Sequence, residues 1–154
     1  MKNILIVLAA AVMLSSCSEN TKKVVETQSY TYSAAELDLL ARINHFRDSI
    51  GVGQVVILEH ASFLCSEHNN YMIDNNVVNH DFFELRAESI ISVYNSVHVG
   101  EILAYNYITN RSALTAWNNS PCHDTIVRSE FTRVGISIRE NELHKKYYTV
   151  IFFD

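Results

Sequence analysis

Two histidines and one glutamate stand out because their chemical types and positions could support chemistry. His80 and His123 each lie just beyond a helical pattern, and Glu101 lies in a segment rich in β-branched and tyrosine residues. All three are predicted to fall in loops or at the ends of elements, where functional groups concentrate. They are therefore the candidate site residues of this chain.

These three side chains are compatible with three kinds of site. Two neutral imidazoles and a carboxylate could bind Zn²⁺, with water in the fourth position. Glu101 could instead accept a hydrogen bond from one imidazole and fix the orientation of its ring. The third interpretation is a polar cluster that braces a cleft by hydrogen bonds without any chemistry of its own. The residue types alone leave all three open.

The helical patterns in the sequence show which elements would position these residues. Ser33 and Glu36 have the spacing of a capping box, and a helix is predicted from Ala34 to about Ser49, with Gly51 ending it. Further helices are predicted from Glu59 to about Asn75, from Phe82 to Ile91, and from Asn110 to Asn119, where Pro121 should stop the last of them.

Strand-forming segments complete the predicted architecture. Residues 55–58 form a short extended run, and residues 92–108 could hold a strand or an ordered loop. Residues 131–138 and 147–153 are predicted to form a hairpin. The second of these is apolar on both faces, which predicts a central strand. Helices should therefore pack over a mainly antiparallel sheet.

Six segments of residues 33–154 resemble motifs of the CAP superfamily, which includes cysteine-rich secretory proteins, insect venom antigens and plant pathogenesis-related proteins. They occur in the same order as in the family, and the chain resembles its short bacterial form. The segments correspond to the opening helix, the second helix, a Ser-His pair, a Gly-Glu-Asn motif, a Trp-x-x-Ser-Pro-Gly-His motif and the following strand. In this chain they are Leu39 to Arg47, His68 with Met72, Asn79-His80, Gly100-Glu101, Trp117 to His123, and Phe131 to Gly135.

The resemblance implies an α+β fold: a CAP-like three-layer α-β-α sandwich with about four helices and a mainly antiparallel central sheet. It also implies a central cleft in which two histidines and two acidic residues meet. His80, His123 and Glu101 match three of these four positions. The fourth position holds Ser120, so the acidic pair is incomplete.

Two further departures fall inside the motifs. The asparagine of the Gly-Glu-Asn motif is Ile102 here, and the glycine before the second histidine is Cys122. By the resemblance, the ligand cleft would be lined by His80, Glu101, Trp117, Ser120 and His123. The sequence contains no Gly-rich phosphate loop, no Gly-x-Ser-x-Gly elbow and no His-Glu-x-x-His helix.

The first residues of the chain are typical of an export signal. Lys2 precedes an apolar run of 11 residues from Ile4 to Leu14, which is shorter than the roughly 20 residues that span a bilayer. Leu14-Ser15-Ser16-Cys17 resembles a bacterial lipobox, which implies that lipid is attached to Cys17 and that the chain is cleaved before it. Residues 1–16 are thus predicted to be the signal peptide and residues 17–32 a flexible stalk.

Composition narrows the partners that this protein could have. The chain carries 12 basic and 17 acidic residues, a net charge of −5, and so lacks the basic footprint of nucleic-acid binding. The membrane is an expected partner, to which the protein is attached by the lipid on Cys17. Cys65 lies within a predicted helix and Cys122 just past another, and two separate thiols are expected rather than a disulfide.

Together these observations predict a lipid-anchored protein outside the cytoplasm, at a bacterial outer membrane or cell surface. The expected function of its domain, residues 33–154, is non-catalytic binding of a lipid, glycan or protein ligand. No cofactor is required for that role. The alternative is a zinc-dependent hydrolase, a peptidase or cell-wall enzyme, in which His80 and His123 bind the metal and Glu101 is the candidate base.

Overall fold

The computed structural model describes residues 26–154 of the protein. The predicted signal peptide, Cys17 and the first part of the predicted stalk lie outside the described residues. Within residues 26–154, no helix combines the length and apolar character needed to cross a membrane.

A four-stranded sheet forms the centre of the described domain, in the order β1-β3-β4-β2. The antiparallel pairs β3–β4 and β4–β2 dominate it, and the short β1 pairs parallel with β3. The prediction of a mainly antiparallel sheet with the last strand at its centre is confirmed. The strands are β1 (Val56–Ile57), β2 (Val99–Tyr105), β3 (Arg133–Glu140) and β4 (Lys146–Phe153).

Helices cover both faces of this sheet and make the predicted α+β three-layer sandwich. In the described chain they are α1 (Ala34–Ser49), α2 (Glu59–Asn75), α3 (Phe83–Tyr94), α4 (Asn110–Asn118) and α5 (Pro121–Arg128). Apolar side chains of α1, α4 and α5 share one core with alternate residues of the strands. Side chains of α2 and α3 pack on the opposite face, against Ile151 and Phe153 of β4.

A close approach of backbones joins α2 to the sheet. A Cβ atom at Gly135 on β3 would lie 2.5 Å from the carbonyl carbon of Ala61 and 2.6 Å from its oxygen. Both are backbone atoms of α2, so the helix could not remain in place over a larger residue. Gly135 therefore fixes how deeply α2 sits on the face that carries the candidate site.

The helix predictions are accurate where local capping defines the ends. α1 begins after the Ser33–Glu36 capping box and ends just before Gly51, whose φ is +76°. α2 has the predicted bounds, Glu59–Asn75, and is capped by Asn76, which adopts a left-handed conformation. α3 begins one residue later than predicted and continues three residues further, to Tyr94.

One helix was missed by the sequence prediction. Pro121 was expected only to stop the preceding helix, but it occupies the first turn of α5. Proline suits that position because the first amide of a helix has no intrahelical partner. This error matters because His123, one of the candidate site residues, lies on α5.

The prediction that residues 17–32 form a flexible stalk is wrong at the C-terminal end of this range. The backbone amides of Gln28 and Tyr30 donate to His60 and Glu59, respectively, at the start of α2. The Tyr30 hydroxyl donates to the buried Glu36 carboxylate over 2.7 Å. Residues 28–32 are therefore part of the folded domain, and we call them the N-terminal strap.

Candidate functional site

Glu101 lies at the centre of the candidate site, on the edge strand β2. Its side chain is directed to the α2–α3 face, and the residue is only 5% exposed. Arg86 on α3 donates two parallel hydrogen bonds to the carboxylate, from Nε to Oε2 and from Nη2 to Oε1, both 2.8 Å long. This bidentate geometry is the strongest form of the arginine–carboxylate interaction. A buried ion pair therefore joins α3 to β2.

His80 is the second partner of the same carboxylate. Its Nδ1 lies 2.9 Å from Oε1 of Glu101. An ionised carboxylate only accepts hydrogen bonds, so Nδ1 must carry the proton. In the neutral ring Nε2 is then a free acceptor, and the side chain is about half exposed, at 51%. Glu101 thus fixes both the orientation and the tautomer of an accessible imidazole.

The loop that carries His80 is held in place on both sides of that residue. The Asp81 carbonyl accepts from Nη1 of Arg86, and the Asn79 carbonyl lies 2.8 Å from Nε2 of His68 on α2. Phe82 follows in a left-handed conformation, with φ +61°, although its side chain is 56% exposed. The strain of this residue sets the turn from the loop into α3.

The electrostatics of the cluster favour an ionised Glu101. Burial disfavours the charged form, but the hydrogen bonds from His80 and Arg86 and the positive charge of Arg86 outweigh it and lower the pKa of Glu101. Burial is the main reason that the pKa values of His68 and His123 are also lowered. The cluster therefore combines a neutralised ion pair with two imidazoles, those of His68 and His123, that favour the uncharged form.

His123 completes the group from the other side of the sheet edge. It lies in the first turn of α5, is half-buried, and is close enough for His80 to contribute to the lowering of its pKa. In the described residues no hydrogen bond joins it to His80 or Glu101. Ser120 is the residue before α5, and its side chain makes no capping bond there.

Trp117 has a different place from the one that the sequence suggested. It was expected to line the cleft, but it is 1% exposed and belongs to the apolar core beneath α4. Its indole N–H donates to the Leu103 carbonyl over 2.7 Å. Trp117 is thus a packing residue that ties α4 to β2, two residues beyond Glu101, and it is too buried to touch a ligand.

Sequence reasoning missed Arg86, the strongest partner of Glu101. A signal was available, because Arg86 is the only lysine or arginine between Arg47 and Arg111. A lone cation on a largely apolar helix, near the motifs that hold His80 and Glu101, points to a buried partner. His68 was expected to be a packing residue; its Nδ1 is buried and has no hydrogen-bond partner within the part of the chain that the structure describes.

The donor set does not fit a three-ligand zinc site that includes Glu101. Both oxygens of that carboxylate are engaged by Arg86, and one of them also by His80. Within residues 26–154, no three histidine, cysteine or acidic side chains are grouped so that they could hold a metal ion. The free thiols of Cys65, buried, and Cys122, exposed, are separate, as expected.

A second concave surface lies away from this cluster. A groove of about 490 Å³ runs between α1 and α4. It is lined by Asp38, Ala41, Arg42, His45, Phe46, Ser49, Arg111, Leu114, Thr115 and Asn118. None of the sequence-predicted site residues borders it.

Comparison with known proteins identifies the family. The profile of the cysteine-rich secretory protein family, CAP, matches residues 40–152. The match spans most of the chain, and the protein therefore belongs to this family, as the motifs indicated. No curated protein matches the sequence.

Solved structures share the fold at low sequence identity. An outer surface protein of Borrelia burgdorferi is 18% identical with a TM-score of 0.71, and the match covers 84% of this chain and 98% of that one. An extracellular protein of Bacillus anthracis that contains an SCP domain is 22% identical with a TM-score of 0.67, and the match covers 77% of this chain and 40% of that one.

A cysteine-rich secretory protein of Staphylococcus aureus is also similar. It is 16% identical with a TM-score of 0.65, and the match covers 77% of this chain and 38% of that one. This chain thus matches only about two fifths of the Bacillus and Staphylococcus chains, and these likenesses show the fold alone.

Removing Arg86 tests whether the buried pair stabilises the site. Arg86→Met leaves the Glu101 carboxylate buried without its main partner, which should lower the free energy of unfolding by about 3–5 kcal/mol. Urea unfolding monitored by circular dichroism measures this change. The matched control, Arg42→Met, removes a partly exposed arginine from its surface pair with Asp38 and should leave the midpoint almost unchanged. A loss below about 1 kcal/mol for Arg86→Met would contradict a buried ion pair.

Proposed function

We propose that the protein is an exported lipoprotein of the bacterial cell envelope whose CAP domain binds a ligand without catalysing a reaction on it. The cleft would be formed around His80, Glu101 and His123, with Ser120 at its border. The observation that carries this proposal is the bidentate ion pair between Arg86 and Glu101.

This ion pair favours a structural role for Glu101. A general base needs a carboxylate that is free to take a proton near the operating pH. Glu101 is instead paired with a guanidinium, and its pKa is lowered by the hydrogen bonds and charge that outweigh burial. Its remaining role is to orient His80, whose Nε2 can then accept a hydrogen bond from a ligand.

The surface around His80 suits recognition by contact as well as by hydrogen bonds. Val78, Phe82 and Leu85 lie on the same loop and the first turn of α3, and each is about half exposed or more. Exposed apolar groups beside a fixed polar group are typical of ligand sites. A lipid, a glycan or a protein segment could supply both kinds of contact.

Two observations support an envelope location. The lipobox-like sequence ends at Cys17, and the structural relatives include proteins described as outer surface or extracellular. Two or three acyl chains on an N-terminal cysteine would give stable anchoring, where a single chain is marginal. The membrane is therefore the first proposed partner.

The zinc-dependent hydrolase remains the alternative because of one feature. A carboxylate that accepts Nδ1–H of a histidine is the usual support for a histidine that binds metal through Nε2. His80 has this support, and His123 could supply a second imidazole. A peptidase or cell-wall enzyme of this kind would need a third ligand and a base other than Glu101.

A double variant separates these functions. Native mass spectrometry and lipid and glycan analysis of the full-length protein should find a co-purified ligand that is lost in His80→Ala/His123→Ala. The ligand should be retained in His144→Ala, which removes an exposed histidine on the β3–β4 turn. Ligand retention in the double variant would show that the cleft is not the binding site. Stoichiometric zinc, together with a hydrolytic activity that the double variant lacks, would favour the alternative.

The anchor has an independent test. The protein should sediment with membranes and incorporate a labelled fatty acid, whereas Cys17→Ser should abolish both. Cys122→Ser is the matched control, because its thiol is exposed in the folded domain and should not carry the label. Labelling that persists in Cys17→Ser would refute the lipoprotein assignment.

A further inference from the structure

The N-terminal strap is fastened to the domain through a buried histidine. The Gln28 amide N–H donates to Nδ1 of His60 over 3.1 Å, and Nε2 of the same ring lies 3.0 Å from the Ser89 hydroxyl oxygen. His60 is 4% exposed. The imidazole therefore bridges three parts of the chain: the strap, α2 and α3.

This arrangement requires one protonation state of His60. Nδ1 accepts the Gln28 N–H, so the single ring proton of the neutral form must lie on Nε2, directed at Ser89. A second proton on Nδ1 would face the Gln28 N–H, and two donors cannot bond to each other. The buried imidazolium would then lack both water and an acceptor at that atom.

The other fastenings of the strap do not depend on this proton. The Tyr30 amide donates to Glu59, and the Tyr30 hydroxyl donates to Glu36 and lies 3.1 Å from the Ser137 hydroxyl. Tyr32 contacts Ser62 through its hydroxyl. Loss of the His60 bond would thus free the strap at Gln28 and Ser29 and leave it attached from Tyr30 onwards.

We propose that His60 is an acid-sensitive clasp: its protonation releases Gln28 and Ser29 from the domain, so that the first residue of the strap held by the domain becomes Tyr30 instead of Gln28. The acidic side chains nearby would stabilise the imidazolium once the strap has moved and water has entered. Burial, which lowers the pKa of His60, places the opening below the ordinary titration range of histidine, about 6.5.

Among residues 26–154, no charged group hydrogen-bonds the His60 ring in the closed state. The carboxylate of Glu59 is occupied by the Tyr30 amide, and the Tyr94 ring lies 6.4 Å from the imidazole. The titratable and charged groups closest along the chain to His60 and to its partners Gln28 and Ser89 are Glu26, Tyr30, Glu59 and Glu88. Arg133 donates to the carbonyl of Tyr94, whose ring is the one near the imidazole.

The sign of the effect follows from this burial. The folded, clasped state favours neutral His60, so protons bind more readily to the open state. The closed clasp is therefore fully populated above about pH 6.5 and is lost as the pH falls through the lowered pKa of His60. The consequence is a change in how the domain is held relative to its N-terminal attachment.

Amide relaxation of the full-length protein in detergent micelles tests the clasp. At pH 7.5 the backbone order parameters of Gln28 and Ser29 should be about 0.85. At pH 5 they should fall below about 0.6, while the backbone of Tyr32 stays rigid. His60→Gln, which cannot titrate, should show no pH dependence at Gln28 and Ser29. His45→Gln, which removes an exposed histidine on α1, should behave as the wild type.

A second variant keeps the test decisive if His60→Gln fails to fold. Gln28→Pro removes the N–H donor and leaves the histidine in place. Ser29 should then be mobile at both pH values, and His60 should titrate at a higher pH than in the wild type. Unchanged order parameters in the wild type between pH 7.5 and pH 5, or an equal fall in His60→Gln, would overturn the proposal.

Discussion

The buried ion pair between Arg86 and Glu101 is the interaction on which the candidate site depends. A carboxylate that is 5% exposed would ordinarily lose its charge, since burial alone raises its pKa. The hydrogen bonds from His80 and Arg86 and the positive charge of Arg86 keep it ionised. The same arginine binds the Asp81 carbonyl, so one side chain fixes the edge strand, the third helix and the loop that carries His80.

This constraint also determines which chemistry the site favours. With its charge neutralised and both oxygens occupied, Glu101 is better suited to hold His80 than to abstract a proton or bind a metal. The family's usual second acid is Ser120 here, so no other carboxylate compensates at that position. For this reason the function that we propose is recognition of a ligand through His80, His123 and the apolar groups beside them.

The sequence predicted the parts of the fold that local signals define. The Ser33–Glu36 capping box and the apolar run of the last strand identified α1 and the centre of the sheet, and six motifs in family order identified the fold. Pro121 was misinterpreted because proline both ends helices and begins them. Arg86, the clasp at His60 and the burial of Trp117 depend on packing between distant segments, which periodicity cannot reveal.

The central claim is that Glu101 is ionised and accepts the Nδ1 proton of His80. Long-range ¹H–¹⁵N spectra of the imidazole rings report directly which nitrogen carries the proton in the neutral form. The account predicts that His80 carries it on Nδ1 and leaves Nε2 bare. A proton on Nε2, with Nδ1 unprotonated toward Glu101, would contradict the account.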